Sequence, residues 1–124
     1  MKIVTTDSAL KASGHYSQAV VHNDMVYLSG QLAFNPETGA KEVDCVADEA
    51  ARVLSNIASI LEEAGSSKNK VLKVTVYLSD IQLWDDVDRV YSEFFADHRP
   101  ARVMVPCHDL HFGFHVEIDA IAYI

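Results

Sequence analysis

The chain has 124 residues and a net charge of −8, since 18 acidic residues outnumber 10 basic ones. We expect residues 1–124 to form one domain, because single domains usually hold ~100–150 residues. The 49% hydrophobic and 23% charged residues are typical of globular proteins and argue against disorder. The excess of acid argues against binding to nucleic acid, which depends on Lys and Arg contacts to phosphate, and against binding to a membrane surface.

Nothing in the chain indicates export or insertion into a membrane. The segment 1–10 lacks the basic region and apolar stretch of a signal peptide, and no apolar run approaches the ~20 residues of a membrane span. Cys45 and Cys107 form no Cys-x-x-Cys pair, and we interpret them as reduced thiols. These features predict a cytoplasmic protein.

Short β-strands are predicted for the first third of the chain. The segment 2–6 is short and apolar enough for an edge strand, and 18–22 followed by 25–30 is typical of a hairpin. Asn23 and Asp24 tolerate the positive φ angles of a tight turn between the two arms.

A helix is predicted over 46–64, because apolar residues recur there at three- and four-residue steps. Asp44 is a candidate for its N-terminal cap, and Gly65 suits its end. Polar residues, including Glu49 and Asn56, are expected away from the apolar stripe, which should pack on a sheet.

The second half of the chain alternates between strands and one helix. The segment 71–78 alternates in polarity and is expected to place Leu72 on its buried face. A second helix is predicted over 82–97, opened by Asp80 and ended before Pro100, because proline disfavours a helical conformation at the residue before it. Two further strands are predicted over 102–106 and 115–124.

The predicted element order is β-β-β-α-β-α-β-β, which is an α+β pattern. Two helices cannot easily cover both faces of a sheet, so we expect one mixed β-sheet with both helices packed on one face. The other face combines aromatic, polar and apolar side chains. A subunit interface would use such a face.

Seven short motifs resemble, in their order and spacing, those of the RidA/YjgF family. They are Gly-His-Tyr-Ser-Gln-Ala-Val at 14–20, Val-Tyr-Leu-Ser-Gly-Gln at 26–31, Asn-Pro-Glu-Thr-Gly at 35–39, Val-Leu-Lys-Val-Thr-Val-Tyr-Leu at 71–78, Tyr-Ser-Glu-Phe-Phe at 91–95, Pro-Ala-Arg at 100–102 and Val-Glu-Ile at 116–118. The resemblance implies a chorismate-mutase-like (YjgF-like) fold and a homotrimer with three clefts between subunits. Active members of the family hydrolyse 2-iminopropanoate, 2-iminobutanoate and their enamine forms to 2-keto acids and ammonia, without a cofactor.

The resemblance assigns the catalytic chemistry to Arg102 and Glu117. Arg102 matches the family arginine that binds the substrate carboxylate, which a guanidinium holds through two parallel hydrogen bonds. Glu117 matches the glutamate of the Val-Glu-Ile motif, and a carboxylate beside an imine can orient water and transfer a proton. By residue type alone, a surface ion pair for Arg102 and a solvated strand position for Glu117 are the alternatives.

The resemblance also implies that Tyr16, Ser29, Gly30 and Met104 line the substrate cleft. A packing aromatic at Tyr16 and a simple bend at Ser29 and Gly30 are the alternatives. Met104 stands two residues after Arg102, where many deaminases carry a cysteine.

Two further positions depart from the family pattern. His15 replaces a proline, which would leave the loop less rigid or add a titrating imidazole. Asp88 replaces the asparagine of some members and would add negative charge if it faced the cleft.

The segment 107–115 is rich in residue types that bind metals. Its spacing matches no standard zinc motif, so we predict no metal site and a loop of partly buried histidines. Because this loop follows Arg102 and precedes Glu117, it is a candidate for the mouth of the cleft.

Two other functions compete with imine hydrolysis. A non-catalytic protein could use the same clefts to bind a small carboxylate and regulate a partner. Arg102 alone would suffice for that role, whereas its pairing with Glu117 favours catalysis. An endoribonuclease or translation inhibitor, the older descriptions of the family, conflicts with the net charge of −8.

Overall fold

The computed structural model describes residues 1–124, which form a six-stranded β-sheet and two α-helices. In chain order the elements are β1 (Lys2–Val4), β2 (Ala19–His22), β3 (Met25–Gln31), α1 (Val46–Glu63), β4 (Val71–Leu78), α2 (Trp84–Phe95), β5 (Ala101–Pro106) and β6 (Val116–Tyr123). Short 3-10 turns lie at Lys68–Lys70, Ile81–Leu83 and His111–Gly113. The predicted element order is confirmed.

The strand order in the sheet is β1-β2-β3-β6-β4-β5, so the last strand lies between the two halves of the sheet. Neighbouring strands are antiparallel except β4 and β5, which are parallel and joined through α2, as a parallel pair requires a crossover. α1 packs on β3 and β6 and against α2. The predicted α+β fold, a mixed sheet with both helices on one face, is therefore confirmed.

The hairpin between β2 and β3 turns at Asn23 and Asp24, whose φ angles are 50° and 61°. Two consecutive positive φ angles are typical of a type I′ turn, whose twist matches that of the paired strands. The predicted tight turn is confirmed.

The apolar stripe of α1 lies in the core, but two polar residues expected outside it are also buried. Glu49 and Asn56 are 2% and 3% exposed. Oε1 of Glu49 accepts the backbone N–H groups of His115 at 2.5 Å and Val116 at 2.9 Å, and the Asn56 amide donates to the carbonyl of Phe34 at 3.0 Å. The prediction was wrong because it assigned polar side chains to solvent, whereas hydrogen-bonded polar groups are tolerated in the interior.

The helix ends differ from the predictions in detail. Asp44 does not cap α1, which begins after Cys45 without a side-chain hydrogen bond. Asp80 caps a 3-10 turn that precedes α2, so the second helix begins later than predicted. It also ends earlier, at Phe95, because Ala96 adopts a positive φ of 52°.

Leu72 is 46% exposed, although the alternating pattern of β4 predicts its burial. The pairing of β4 with β6 shifts register between Val71 and Lys73. Val71, at 1% exposure, therefore occupies the core position that the pattern assigns to Leu72.

The face of the sheet opposite the helices, called here the uncovered face, exposes large apolar side chains. Tyr27, Val103, Val105 and Tyr123 on this face are 37–44% exposed.

Neither helix combines the length and the hydropathy that a membrane crossing would need.

Candidate functional site

A cavity of about 420 Å³, called here the Glu117 cavity, opens where β3 ends beside the start of β6. Its walls come from the segment before β2, from the end of β3 and the residues that follow, and from the loop between β5 and β6. It contains four of the predicted cleft residues, Tyr16, Ser29, Gly30 and Glu117. Its other lining residues are Leu10, Ser13, Gly14, Gln31, Leu32, Phe34, His111 and Phe112.

A β-bulge brings the carboxylate of Glu117 against the backbone of β3. The pairing of β3 with β6 breaks between Leu28 and Gln31, where β3 contains one residue more than its partner. At this bulge the carboxylate lies against Gly30, in the space that a Cβ atom would occupy. Any other residue at Gly30 would displace the carboxylate.

Hydrogen bonds hold the segment that carries Tyr16. Gln18, which is 2% exposed, donates to the carbonyl of Leu10 at 2.8 Å. The hydroxyl of Ser29 donates to the carbonyl of Ser17 at 2.6 Å. Tyr16 itself is 51% exposed, so its ring borders the cavity without packing in the core.

The environment of Glu117 favours its protonated form. Partial burial raises the pKa of Glu117 above its ordinary value, and the negative charge of Asp119 raises it further. His111, which lines the same cavity, lowers the pKa of Glu117 and so acts against these two effects. A half-buried carboxyl group with a raised pKa is suited to exchange protons with a bound ligand or water.

Arg102 lies at a second cavity, of about 360 Å³, between β5 and α2. Its Nη1 donates to Oδ1 of Asp88 at 2.6 Å, and its side chain is 27% exposed. The guanidinium carbon lies 4.9 Å from the ring centroid of Tyr91 and 5.8 Å from that of Trp84, within the range of cation–π contacts. The alternative for Arg102, an ion pair with an acidic neighbour, is therefore present, with Asp88 as the partner.

Tyr91 lines the second cavity and carries a polar group without a partner. Its hydroxyl is buried and has no hydrogen-bond partner. Burial raises the pKa of Tyr91 to about 12, so the hydroxyl stays protonated and available as a donor at neutral pH. The helical period predicts the burial of Tyr91 but carries no information on what its hydroxyl faces, so sequence reasoning missed this group and Trp84.

The structure does not bring Arg102 and Glu117 together within one chain. Arg102 pairs in register with the core residue Val74 and so points to the helix side, whereas Glu117 pairs with Tyr77 and points to the uncovered face. β5 and β6 are also separated by two strand spacings, about 10 Å. Met104, at 8% exposure, lies in the core beside β4 rather than in either cavity.

The loop between β5 and β6 reaches the Glu117 cavity through His111 and Phe112. Their rings stack with centroids 3.6 Å apart and an interplanar angle of 20°. His15 is exposed and is not among the residues that line the cavity. No group of three or more His, Cys, Asp or Glu side chains is arranged to hold a metal ion.

A family model described as Endoribonuclease L-PSP matches residues 6–124. The crystal structure of RidA from the Antarctic bacterium Psychrobacter matches with a TM-score of 0.94 and 39% identity, over 100% of both chains. The chain belongs to the RidA/YjgF family. The resemblance carried by the seven motifs is thus confirmed, and the RidA/YjgF fold with it.

Other RidA/YjgF proteins carry different functional descriptions. A Bos taurus protein named 2-iminobutanoate/2-iminopropanoate deaminase is 42% identical over 121 residues, 98% of this chain and 88% of that protein. Escherichia coli TdcF, solved with bound serine, matches with a TM-score of 0.95 and 35% identity, over 100% of this chain and 99% of the other. Because RidA/YjgF descriptions include both deaminase and endoribonuclease, the reaction of this chain has to be inferred from its site.

Proposed function

We propose that this protein hydrolyses reactive 2-imino carboxylic acids, and the enamines in equilibrium with them, to 2-keto acids and ammonia. The observation that carries the proposal is the half-buried Glu117 carboxylate, which lies against Gly30 in an open cavity and has a raised pKa. The 42% identity to a protein named as such a deaminase supports the same reaction. One water is consumed for each ammonia released.

Glu117 would act on water and on the imine nitrogen in turn. Its carboxylate takes a proton as water attacks the C=N carbon, which gives a tetrahedral carbinolamine. The same proton goes to the nitrogen, so the carbinolamine is neutral. Glu117 then takes the hydroxyl proton and passes it to the NH2 group, and ammonia leaves as the C=O bond forms. Partial burial raises the pKa of this carboxyl group, which makes its carboxylate a stronger proton acceptor for the first step.

Arg102 would bind the substrate carboxylate from a neighbouring copy of the chain. The proposed assembly is a homotrimer in which the uncovered faces meet, because these faces expose the apolar side chains of Tyr27, Val103 and Val105. Within one chain Arg102 and Glu117 point to opposite sides of the sheet. A cleft between copies is the arrangement that lets both residues reach one substrate.

The site is less suited to the hydrolysis of RNA than to the hydrolysis of imines. The chain carries 18 acidic and 10 basic residues, and the Glu117 cavity contains no Lys or Arg. A phosphate backbone needs several such contacts for affinity.

The first test is the release of keto acid from 2-iminopropanoate and 2-iminobutanoate, generated in place by an amino-acid oxidase. We expect Glu117→Gln to lower kcat by roughly 10²–10⁴-fold, since it removes the proton-transfer group. Arg102→Ala should mainly raise KM, because the guanidinium that binds the substrate carboxylate is lost. Arg89→Ala and Glu93→Gln are matched controls on the exposed side of α2, where these two residues pair at 3.2 Å. No acceleration by the wild type on either imine would refute the proposal and favour a carboxylate-binding regulator.

Mixed assemblies test whether each site uses two copies. Arg102→Ala and Glu117→Gln chains would be refolded together in equal amounts. If each site takes Arg102 from one copy and Glu117 from the next, about a quarter of the sites regain both groups. If both groups came from one chain, no activity would return.

A further inference from the structure

Phe112 combines two features that stability alone does not explain. Its φ and ψ angles are 61° and 18°, a left-handed conformation that bulky side chains rarely adopt. Its ring is also 57% exposed, although solvent contact is unfavourable for an aromatic ring. A strained and exposed aromatic side chain at the wall of a cavity indicates a role in binding.

The neighbours of Phe112 hold this conformation in place. Nζ of Lys41 donates to the carbonyl of Phe112 at 3.1 Å, and Gly113 continues the turn with a φ of 72°. The Phe112 ring stacks on His111 and meets the edge of Phe34 with centroids 5.2 Å apart. These contacts favour the observed orientation of the ring.

The wall to which Phe112 belongs is apolar and lies in the same cavity as the Glu117 carboxylate. Phe112, Phe34, Leu10 and Leu32 line the same cavity as Glu117. The volume of about 420 Å³ lies within the range that holds drug-sized ligands, roughly 300–1,000 Å³. A substrate of three or four carbons would leave the aromatic wall in contact with water.

We propose that Phe112, with His111 and Phe34, forms a side-chain subsite that selects 2-imino acids with an aromatic or large apolar side chain. The inference rests on the proposed imine hydrolysis and names its substrate class. The reacting carbon stays beside Glu117, where water adds and ammonia leaves as before. The side chain of the substrate packs on the Phe112 ring and removes its exposed apolar surface from water.

The test compares imines that an amino-acid oxidase generates from phenylalanine, leucine and alanine. We expect wild-type kcat/KM to be at least about tenfold higher for the phenylalanine and leucine imines, since an apolar pocket discriminates by roughly this factor or more between side chains of different size. Phe112→Gly and Phe112→Asn both remove the ring and both suit a positive φ, so the fold should persist. Each should lower kcat/KM about tenfold for the phenylalanine imine and by a clearly smaller factor for the alanine imine. Ile81→Ala, which trims an exposed side chain outside the cavity, is the control.

The outcomes separate the inference from the function on which it rests. Turnover that favours the alanine imine, or an equal loss on all imines in the Phe112 variants, overturns the side-chain subsite and leaves the deaminase standing. No turnover of any imine overturns both. A selective loss in both variants, with unchanged circular dichroism spectra, supports the subsite.

Discussion

At the scale of single residues, the guanidinium of Arg102 is already paired before a substrate arrives. Asp88 accepts its hydrogen bond at 2.6 Å, and both side chains are partly shielded from water, at 27% and 42% exposure. Under the proposed function, a substrate carboxylate has to displace Asp88 or share Arg102 with it. The negative charge of Asp88 therefore opposes the binding of a substrate carboxylate to Arg102.

We predict that Asp88→Asn strengthens the binding of a keto acid such as pyruvate by about tenfold, because it removes the competing charge and keeps the shape of the side chain. Isothermal titration calorimetry of the inactive Glu117→Gln background would measure the change. Asp85→Asn, at an exposed position of the same helix, is the control. An unchanged or weaker affinity would mean that Asp88 orients Arg102 rather than competes for it.

The sequence predicted part of the site and not its arrangement. Motifs pointed to Glu117 and Gly30, and the structure places both at one bulge. The bulge itself could not be predicted, because one extra residue in β3 is defined only by its pairing with β6. The chain order also does not show that Arg102 and Glu117 point to opposite faces of the sheet, because this too depends on how the strands pair.

At the scale of secondary-structure elements, one buried carboxylate joins α1 to the start of β6. Glu49 accepts the N–H groups of His115 and Val116 at 2.5 and 2.9 Å. The carboxylate on α1 thus satisfies two backbone N–H groups where β6 begins. The contact also fixes the strand immediately before Glu117.

We predict that Glu49→Ala lowers the free energy of unfolding by about 2–4 kcal/mol, because two buried N–H groups lose a charged acceptor. Urea denaturation followed by circular dichroism would measure it. Glu63→Ala, at an exposed position near the end of α1, should change stability by less than about 0.5 kcal/mol. Equal effects of the two substitutions would show that the Glu49 hydrogen bonds contribute little.

Periodic patterns predicted the elements well and their exceptions poorly. The steps of three and four in α1 and the alternation in β6 both reflect burial on one face, and both are confirmed. Glu49 and Leu72 break their patterns for reasons that lie in other elements. Glu49 accepts hydrogen bonds from the N–H groups of His115 and Val116, and Leu72 is turned outward by a register shift of β4 against β6.

At the scale of the whole molecule, the charge of the chain and its uncovered face act on association in opposite ways. A net charge of −8 keeps copies apart at long range, whereas Tyr27, Val103 and Val105 favour contact at short range. The element order predicted two helices on one face and hence the other face left open. It could not predict which strand would lie at the centre of the sheet.

We predict that Val103→Lys prevents the proposed trimer from forming, since a buried unpaired charge at an interface is strongly unfavourable. Analytical ultracentrifugation would show a monomer, and imine hydrolysis would fall with it, because under the proposed function each site uses residues of two copies. The helical circular dichroism signal should persist, as Val103 lies outside the core. Ile81→Lys adds the same charge at an exposed position outside the sheet, and should leave the assembly intact.

The central position of β6 affects how the sheet forms while the chain is being synthesised. β6 is the last of the six strands in chain order, and it is the only strand that pairs with both halves of the sheet. Until residues 116–123 emerge, β3 and β4 each present an unpaired edge, and such edges recruit other chains. A nascent chain stalled before β6 therefore lacks Glu117 and exposes two open edges at once, which marks it for chaperones and proteases. Under the proposed function, such truncated products would lack both the carboxylate of the site and the strand that closes the sheet.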